Sequence, residues 1–164
     1  MTLPAPSAVA RRLAPRFGFD PDGLESLGAF ESEVLAVEGA TGPAILKVID
    51  PTHRTPDEVQ AEIDWLLALR EAGIPAARPR AACDGAWLAL EGDPPTVAVA
   101  FERTAGRHLA PGEWTPDLFR AHGELVGRLQ AHARGWTPPG PRSVSKAFAV
   151  CSVPMSRLLS RTGR

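Results

Sequence analysis

The tightest constraint on the fold lies in residues 44–73, AILKVIDPTHRTPDEVQAEIDWLLALREAG. The stretch joins a strand to a helix, and each carries one charge where an apolar residue is expected. In AILKVID the side chains alternate between faces. Lys47 therefore shares a face with Ile45 and Ile49, with Leu46 and Val48 on the other. Thr55-Pro56-Asp57-Glu58 then opens a helix on three counts: Thr55 can cap, Pro56 suits the first helical position, and Glu58 completes a capping box. Wound at 100° per residue, Leu69, Glu62, Leu66, Val59, Ile63 and Leu67 fall on one arc, so Glu62 lies inside the apolar stripe.

A carboxylate in an apolar stripe requires a partner, because an unpaired buried charge is strongly unfavourable. Lys47 is the nearest candidate in sequence. Taken singly, each residue has an ordinary reading, a lysine snorkelling from a strand and a glutamate at a rim. Taken together, a lysine on an early strand and a glutamate on the next helix form the pairing that kinases use to hold ATP phosphates.

The chain has 164 residues, 44% of them hydrophobic, enough for one domain with a real core. No apolar run approaches the ~18 residues of a membrane span, and no membrane partner is expected. The N-terminal residues have no apolar h-region, so no signal peptide is expected. The only cysteines, Cys83 and Cys151, lie far apart. That fits a reducing cytoplasm, the expected location. His53, His108, His122 and His132 are scattered in no metal-type spacing. The net charge of −1 hides an asymmetry: residues 1–124 hold all 19 acids with eleven of the 18 bases, and residues 125–164 hold seven bases and no acid.

In chain order, residues 7–17 read as a short helix with Val9, Leu13 and Phe17 on one side. LESLGAFE and SEVLAVE read as strands, and residues 39–43 as the hairpin turn into the Lys47 strand. The capped helix ends at Gly73. An extended, proline-rich linker follows, then two more strands in RAACDGAWLALEG and PPTVAVAFE, with turns at Asp84-Gly85 and Gly92-Asp93-Pro94-Pro95. Thr115-Pro116 starts a second long helix with Leu118, His122, Leu125, Val126, Leu129 and Ala133 on one face. The expected class is α+β: a five-stranded antiparallel sheet with one inserted helix, then a connector and a further helix.

The segments GAFESEVLAVEG, GPAILKVID, DEVQAEIDWLLALREAGIPAARP, VAVAFERTAGRHL and WTPDLFRAHGELVGRLQAHAR resemble the aminoglycoside phosphotransferase/choline kinase-like family. Within it the likeness is to the stress-response Ser/Thr kinase and type II homoserine kinase branch. The resemblance implies a kinase-like N-terminal lobe at residues 25–104, after an N-terminal segment at 1–24. Residues 105–141 would carry the rest of the hinge and the first helix of a truncated C-terminal lobe, and 142–164 a basic, poorly ordered tail. It implies ATP and Mg as cofactors and a hydroxyl compound as acceptor. Lys47 matches the lysine that contacts nucleotide phosphates, and Glu62 the glutamate that positions it. Gly28, Phe30 and Ser32 match the loop over the phosphates. Phe101, Glu102 and Thr104 match the hinge, where backbone groups of Glu102 and Thr104 would meet adenine.

Phosphoryl transfer also needs a carboxylate at the attacking hydroxyl and oxygen ligands for magnesium. The family takes both from loops beyond the second long helix. Here Glu124 is the last carboxylate and asparagine is absent from the chain. No catalytic and no metal-binding residue is therefore assigned, and the expected protein is a truncated, catalytically incomplete phosphotransferase, a gene fragment or a frame-altered product. The alternative is a nucleotide-binding, pseudokinase-like regulatory module without catalysis, whose exposed second helix needs a partner. Binding of nucleic acid through Arg142, Lys146, Arg157, Arg161 and Arg164 is the weaker reading, since short charge runs are commonly solvated tails.

Overall fold

The computed structural model describes residues 4–139, apart from 30, 108 and 111. The tail assigned to 142–164, with Cys151, lies outside the described residues. Six strands make one sheet: β1 (Glu25–Ala29), β2 (Ser32–Gly39), β3 (Gly42–Ile49), β4 (Pro79–Arg80), β5 (Ala89–Glu91) and β6 (Thr96–Glu102). Three α-helices accompany them: α1 (Ala8–Leu13), α2 (Pro56–Glu71) and α3 (Pro116–Ala133). The order across the sheet is β1-β2-β3-β6, with β4 and β5 both paired to β6. All pairings are antiparallel.

The sheet has five lanes, as the α+β reading requires, but the fifth is shared. Pro79 and Arg80 pair with Phe101 and Ala100, and Ala89–Glu91 pair with Ala98–Thr96. The chain leaves the edge between them and returns. The turn expected at Asp84-Gly85 thus separates two short strands that share one lane, where the five-strand reading counted residues 80–92 once. The break falls at Asp84-Gly85, where the Gly85 N–H closes a turn on the Ala82 carbonyl (2.9 Å) and Asp84 Oδ1 accepts the Ala86 N–H (3.0 Å).

Strand alternation sorts β3 onto two cores. Ala44, Leu46 and Val48 join Leu35, Val37, Ala98 and Ala100 on one face. The N-terminal segment covers that face with Ala10, Leu13, Ala14, Phe17 and Phe19. Ser7 caps α1 by accepting the Ala10 N–H (3.1 Å). A 3-10 turn (Ala14–Phe17) continues it and stops at Gly18, whose φ of 72° is cheap only for glycine. Glu33 of β2 accepts both the Ser7 N–H (2.8 Å) and the Ser7 hydroxyl (2.6 Å), tying the helix start to the sheet.

The other face carries Ile49, Val97 and Val99, covered by Val59 and Ile63 of α2. The capping box of α2 is complete: Thr55 Oγ1 accepts the Glu58 N–H (3.3 Å) and Glu58 Oε2 accepts the Thr55 N–H (2.9 Å). Beyond the helix, the Gly73 N–H bonds to the Arg70 carbonyl and the Ile74 N–H to the Leu69 carbonyl (both 2.9 Å). The buried side of α2 also includes Glu58 and Ala61, while Leu66 and Leu67 are only half-buried.

The second long helix starts as Thr115-Pro116 predicts, with Thr115 accepting the Leu118 N–H (3.3 Å). None of its residues is buried. Its C-terminal half docks on α2: Trp65 lies 5.4 Å from the His132 ring and 4.9 Å from the Trp136 ring, and Arg128 donates to the Gly73 carbonyl (2.8 Å). The face expected to need a partner is thus divided. Leu125, Val126 and Leu129 are half-buried, while Leu118 and Phe119 remain exposed beside Trp114.

Candidate functional site

The face of the sheet that bears Lys47 is only partly covered. Cross-strand partners place Gly28, Val34, Lys47 and Val99 in one row across β1, β2, β3 and β6. The next row holds Ala36, Ile45 and Phe101. Val99 lies under α2, whereas Val34, Ile45, Lys47 and Phe101 are half-buried. The uncovered part is thus an apolar floor with one ammonium group at its edge. Lys47 has no ion pair or hydrogen bond among the described residues. Gly28 adds open space: its φ is 139°, it follows a register shift after Ser26, and a Cβ there would meet nothing within 4 Å.

The expected Lys47–Glu62 ion pair is not formed. Glu62 Oε2 instead accepts from Nη1 of Arg54. Arg54 stands immediately before the Thr55 cap, and its Nη2 also donates to the Glu58 carbonyl (2.9 Å). The side chains of Arg54 and Glu62 are 16% and 31% exposed. A planar guanidinium satisfies two acceptors at once, which a lysine's point charge does less well. This explains why Arg54 takes the carboxylate. The satisfaction is incomplete, because Arg54 Nε is buried without a hydrogen-bond partner.

Ser32 opens β2 opposite Ile49, one row from Lys47, and Phe30 lies outside the described residues. At the hinge, Phe101 packs against the α2 cluster. The Glu102 N–H donates to the Arg78 carbonyl (2.8 Å), and its carboxylate lies 3.5 Å from Arg78 Nε. Thr104 is exposed. The connector that follows is tied by Arg107 and Glu113 in a two-point pair (2.7 and 2.6 Å), with the Ala110 N–H also on Glu113 (2.5 Å). Arg107 and that amide hold the Glu113 carboxyl below its ordinary value, and Glu113 raises Arg107.

A separate cleft of about 320 Å³ is lined by Ser7, Glu33, Val48, Asp50, His53 and Thr96 among others. Glu33 and Val48 belong to the α1 side of the sheet, but Ser32, paired with Ile49 and so on the Lys47 side, also lines this cleft. Among the described residues no three His, Cys, Asp or Glu side chains stand close enough to hold a metal. No helix among them is long and apolar enough to cross a membrane. Arg54, Trp65 and Arg128 escaped the sequence reading; the one local signal was an arginine directly before a helix cap.

Residues 24–148 match the model of a family described as a phosphotransferase enzyme family. The chain is similar to amicoumacin kinase of Bacillus subtilis (strain 168), 24% identical over 136 residues that cover 81% of this chain and 40% of that protein. It is 30% identical over 140 residues to an uncharacterized protein of Deinococcus radiodurans, covering 83% of this chain and 40% of that protein. Among solved structures, an amicoumacin kinase in complex with AMP-PNP, Ca2+ and Ami superposes with a TM-score of 0.76 at 25% identity, over 82% of this chain and 41% of that one. A microcompartment-associated aminopropanol kinase gives 0.67 at 26% identity, over 89% and 47%. The chain spans 40% of the length of the curated relatives it matches.

Proposed function

The chain belongs to the phosphotransferase enzyme family, and from that premise we propose that it forms the nucleotide-binding part of an ATP-dependent kinase. Such a kinase moves the γ-phosphate to a hydroxyl acceptor. The single observation that carries the reading is the Lys47 ammonium, without a partner among the described residues, at the edge of a half-covered apolar floor. An adenine ring can lie on Val34, Ile45 and Phe101, with its phosphates toward Lys47 and the bare backbone at Gly28. Thr104, two residues beyond the end of β6, is the residue proposed to meet the adenine edge. The AMP-PNP and Ca2+ held by the amicoumacin kinase structure support nucleotide and divalent-metal use. The described residues offer no acidic cluster for magnesium, so no metal-dependent step is assigned to them.

The described chain supplies binding and orientation, not proton transfer. A base for the acceptor hydroxyl is not assigned, and no carboxylate follows Glu124. The 164-residue chain is therefore expected to bind nucleotide without measurable transfer. AMP-PNP titration of wild type and Lys47→Met tests the site. Loss of a charged contact to phosphate is worth about 1.5–3 kcal/mol, so affinity should fall at least roughly tenfold. The thermal midpoint should stay level or rise, because Met keeps the stem and removes an unpaired charge. Equal affinities would reject the site, and enzyme-like transfer from labelled ATP would reject the absence of turnover.

A further inference from the structure

We propose that the cleft at the C-terminal end of α2 binds a phosphate group, free or as a small phosphomonoester, between Arg70 and Arg78. The cleft has a volume of about 370 Å³ and is lined by Arg70, Gly73, Ile74, Pro75, Ala76 and Arg78. That is the scale of a small-molecule pocket. It shares no lining residue with the Lys47 floor or with the cleft at Glu33, so the proposal does not rest on the nucleotide reading above.

Three observations carry it. The lining holds two guanidinium groups and no carboxylate. Arg70, half-buried in the last turn of α2, has no side-chain partner among the described residues. Arg78 meets only Glu102, a half-exposed carboxylate 3.5 Å from its Nε, and its two Nη groups are unengaged. A third guanidinium reaches the wall where Arg128 donates to the Gly73 carbonyl (2.8 Å). Elsewhere the chain sets its arginines against acids at short range, as at Arg11, Arg12, Arg16 and Arg107. Here cations are gathered without an anion between them.

Like charges around one concavity repel, and a shared anion removes that cost. A guanidinium presents paired N–H donors that match the oxygens of a tetrahedral oxyanion, so two of them can hold one phosphate. A dianion also answers two cations better than a monovalent ion does. The end of a helix opposes an anion through its free carbonyls. At this end the Ala68, Leu69 and Arg70 carbonyls accept the Ala72, Ile74 and Gly73 N–H groups, and the Gly73 carbonyl accepts Arg128. Those acceptors are engaged, and the arginines set the charge of the cleft.

Arginine modification by phenylglyoxal, read by mass spectrometry on the full chain, tests the site residue by residue. Arg103 and Arg134 are exposed, have no side-chain partner among the described residues and lie outside the lining, so they serve as references. With ionic strength matched by sodium chloride, saturating inorganic phosphate or glycerol phosphate should slow modification of Arg70 and Arg78 roughly fivefold or more, and that of the references less than about twofold. The probe that protects at lower concentration identifies the occupant as free phosphate or as a monoester. In calorimetric titration with the same two probes, R70Q and R78Q should each bind roughly tenfold or more weakly, as expected for losing a hydrogen bond to a charged group, while R103Q should match wild type. Equal protection of Arg70 and Arg103, protection no greater than chloride gives, or unchanged affinity in folded R70Q overturns the proposal. If R70Q does not fold, the protection pattern in wild type decides alone. Lys47→Met separates this site from the nucleotide site: phosphate protection of Arg70 should stay within about twofold of wild type, since distant sites act independently. Its loss would place the phosphate at Lys47 and overturn the proposal. A chain that fails to bind AMP-PNP rejects the nucleotide reading and leaves Arg70 protection to judge this cleft.

Discussion

Two helices of this chain start with the same pair, Thr-Pro, yet their caps should differ sharply in worth. Thr55→Ala removes the acceptor of the Glu58 N–H (3.3 Å) and the hydroxyl donor to Glu58 Oε2 (3.2 Å). Glu58 is 9% exposed, so water replaces neither bond well. A lost N-cap costs about 1 kcal/mol, and a weakened bond to a charged group adds a comparable amount, giving roughly 2 kcal/mol. That is about a thirty-fold change in the folding equilibrium and roughly 8 °C in Tm for a domain of this size. α2 supplies two of the five buried residues of one core, Val59 and Ile63, so the loss should appear in global unfolding. Thr115→Ala removes a cap of the same geometry. There, however, the third helical position is Leu118, which cannot complete a box, and α3 buries no residue. Its effect should be confined to fraying of α3, below about 2 °C in global Tm. Urea and thermal unfolding followed by far-UV circular dichroism measure both. Equal losses, or a larger loss for Thr115→Ala, would refute the claim that packing decides what a cap is worth here.

The remaining expectations concern the connector and the second long helix. The Glu113 carboxyl is held below its ordinary value by Arg107 and by the Ala110 N–H. A lowered carboxylate contributes order that is present above its ordinary pKa, about pH 4, and lost as pH falls through the lowered value. With the intrinsic exchange rate divided out, the protection factor of the Ala110 amide should therefore be higher at neutral pH than in acid, and E113Q should remove that difference; a wild-type protection factor that does not change with pH would contradict it. Arg128→Ala removes the donor to the Gly73 carbonyl. It should raise amide exchange along the C-terminal half of α3 and lower the near-ultraviolet signal of the Trp65–Trp136 pair. The β3 amides should be unaffected.

Local signals in the sequence carried α2 almost entirely. Thr55, Pro56, Glu58 and Gly73 each act within a turn of the helix end, and each stands in its expected role. The Lys47 face of β3 was legible through period-two alternation, because β3 is long enough to show it, whereas Gly28 and Phe101 were reached only through the family resemblance. Of the divided edge lane only the Asp84-Gly85 turn was legible. Two residues of β4 show no period, and their pairing is decided by β6, some twenty residues later. The partner of Glu62 was hidden for a different reason. Period and stripe predict that a carboxylate needs a cation, but not which one. Arg54 wins by standing at the helix start with a two-point fork, a geometry that appears only after α2 is docked.

That outcome bears on why Lys47 is present at all. Stability alone would favour an apolar residue at the centre of β3, between Ile45 and Ile49 and opposite Val34 and Val99. The chain uses arginine for nearly every other cation and pairs many of them, as Arg11, Arg12, Arg16, Arg54, Arg107 and Arg120 show. A compact ammonium left without an anion on a half-open floor gains little for the folded state and costs desolvation. On the proposed function, an anion arriving from outside the fold would offset that cost. A residue that opposes local stability while neighbouring surfaces follow it is the pattern expected of a binding position. The row Gly28–Val34–Lys47 fits that logic on the proposed function: glycine clears the space, Val34 supplies part of the floor, and the lysine offers a charge that the described residues do not meet.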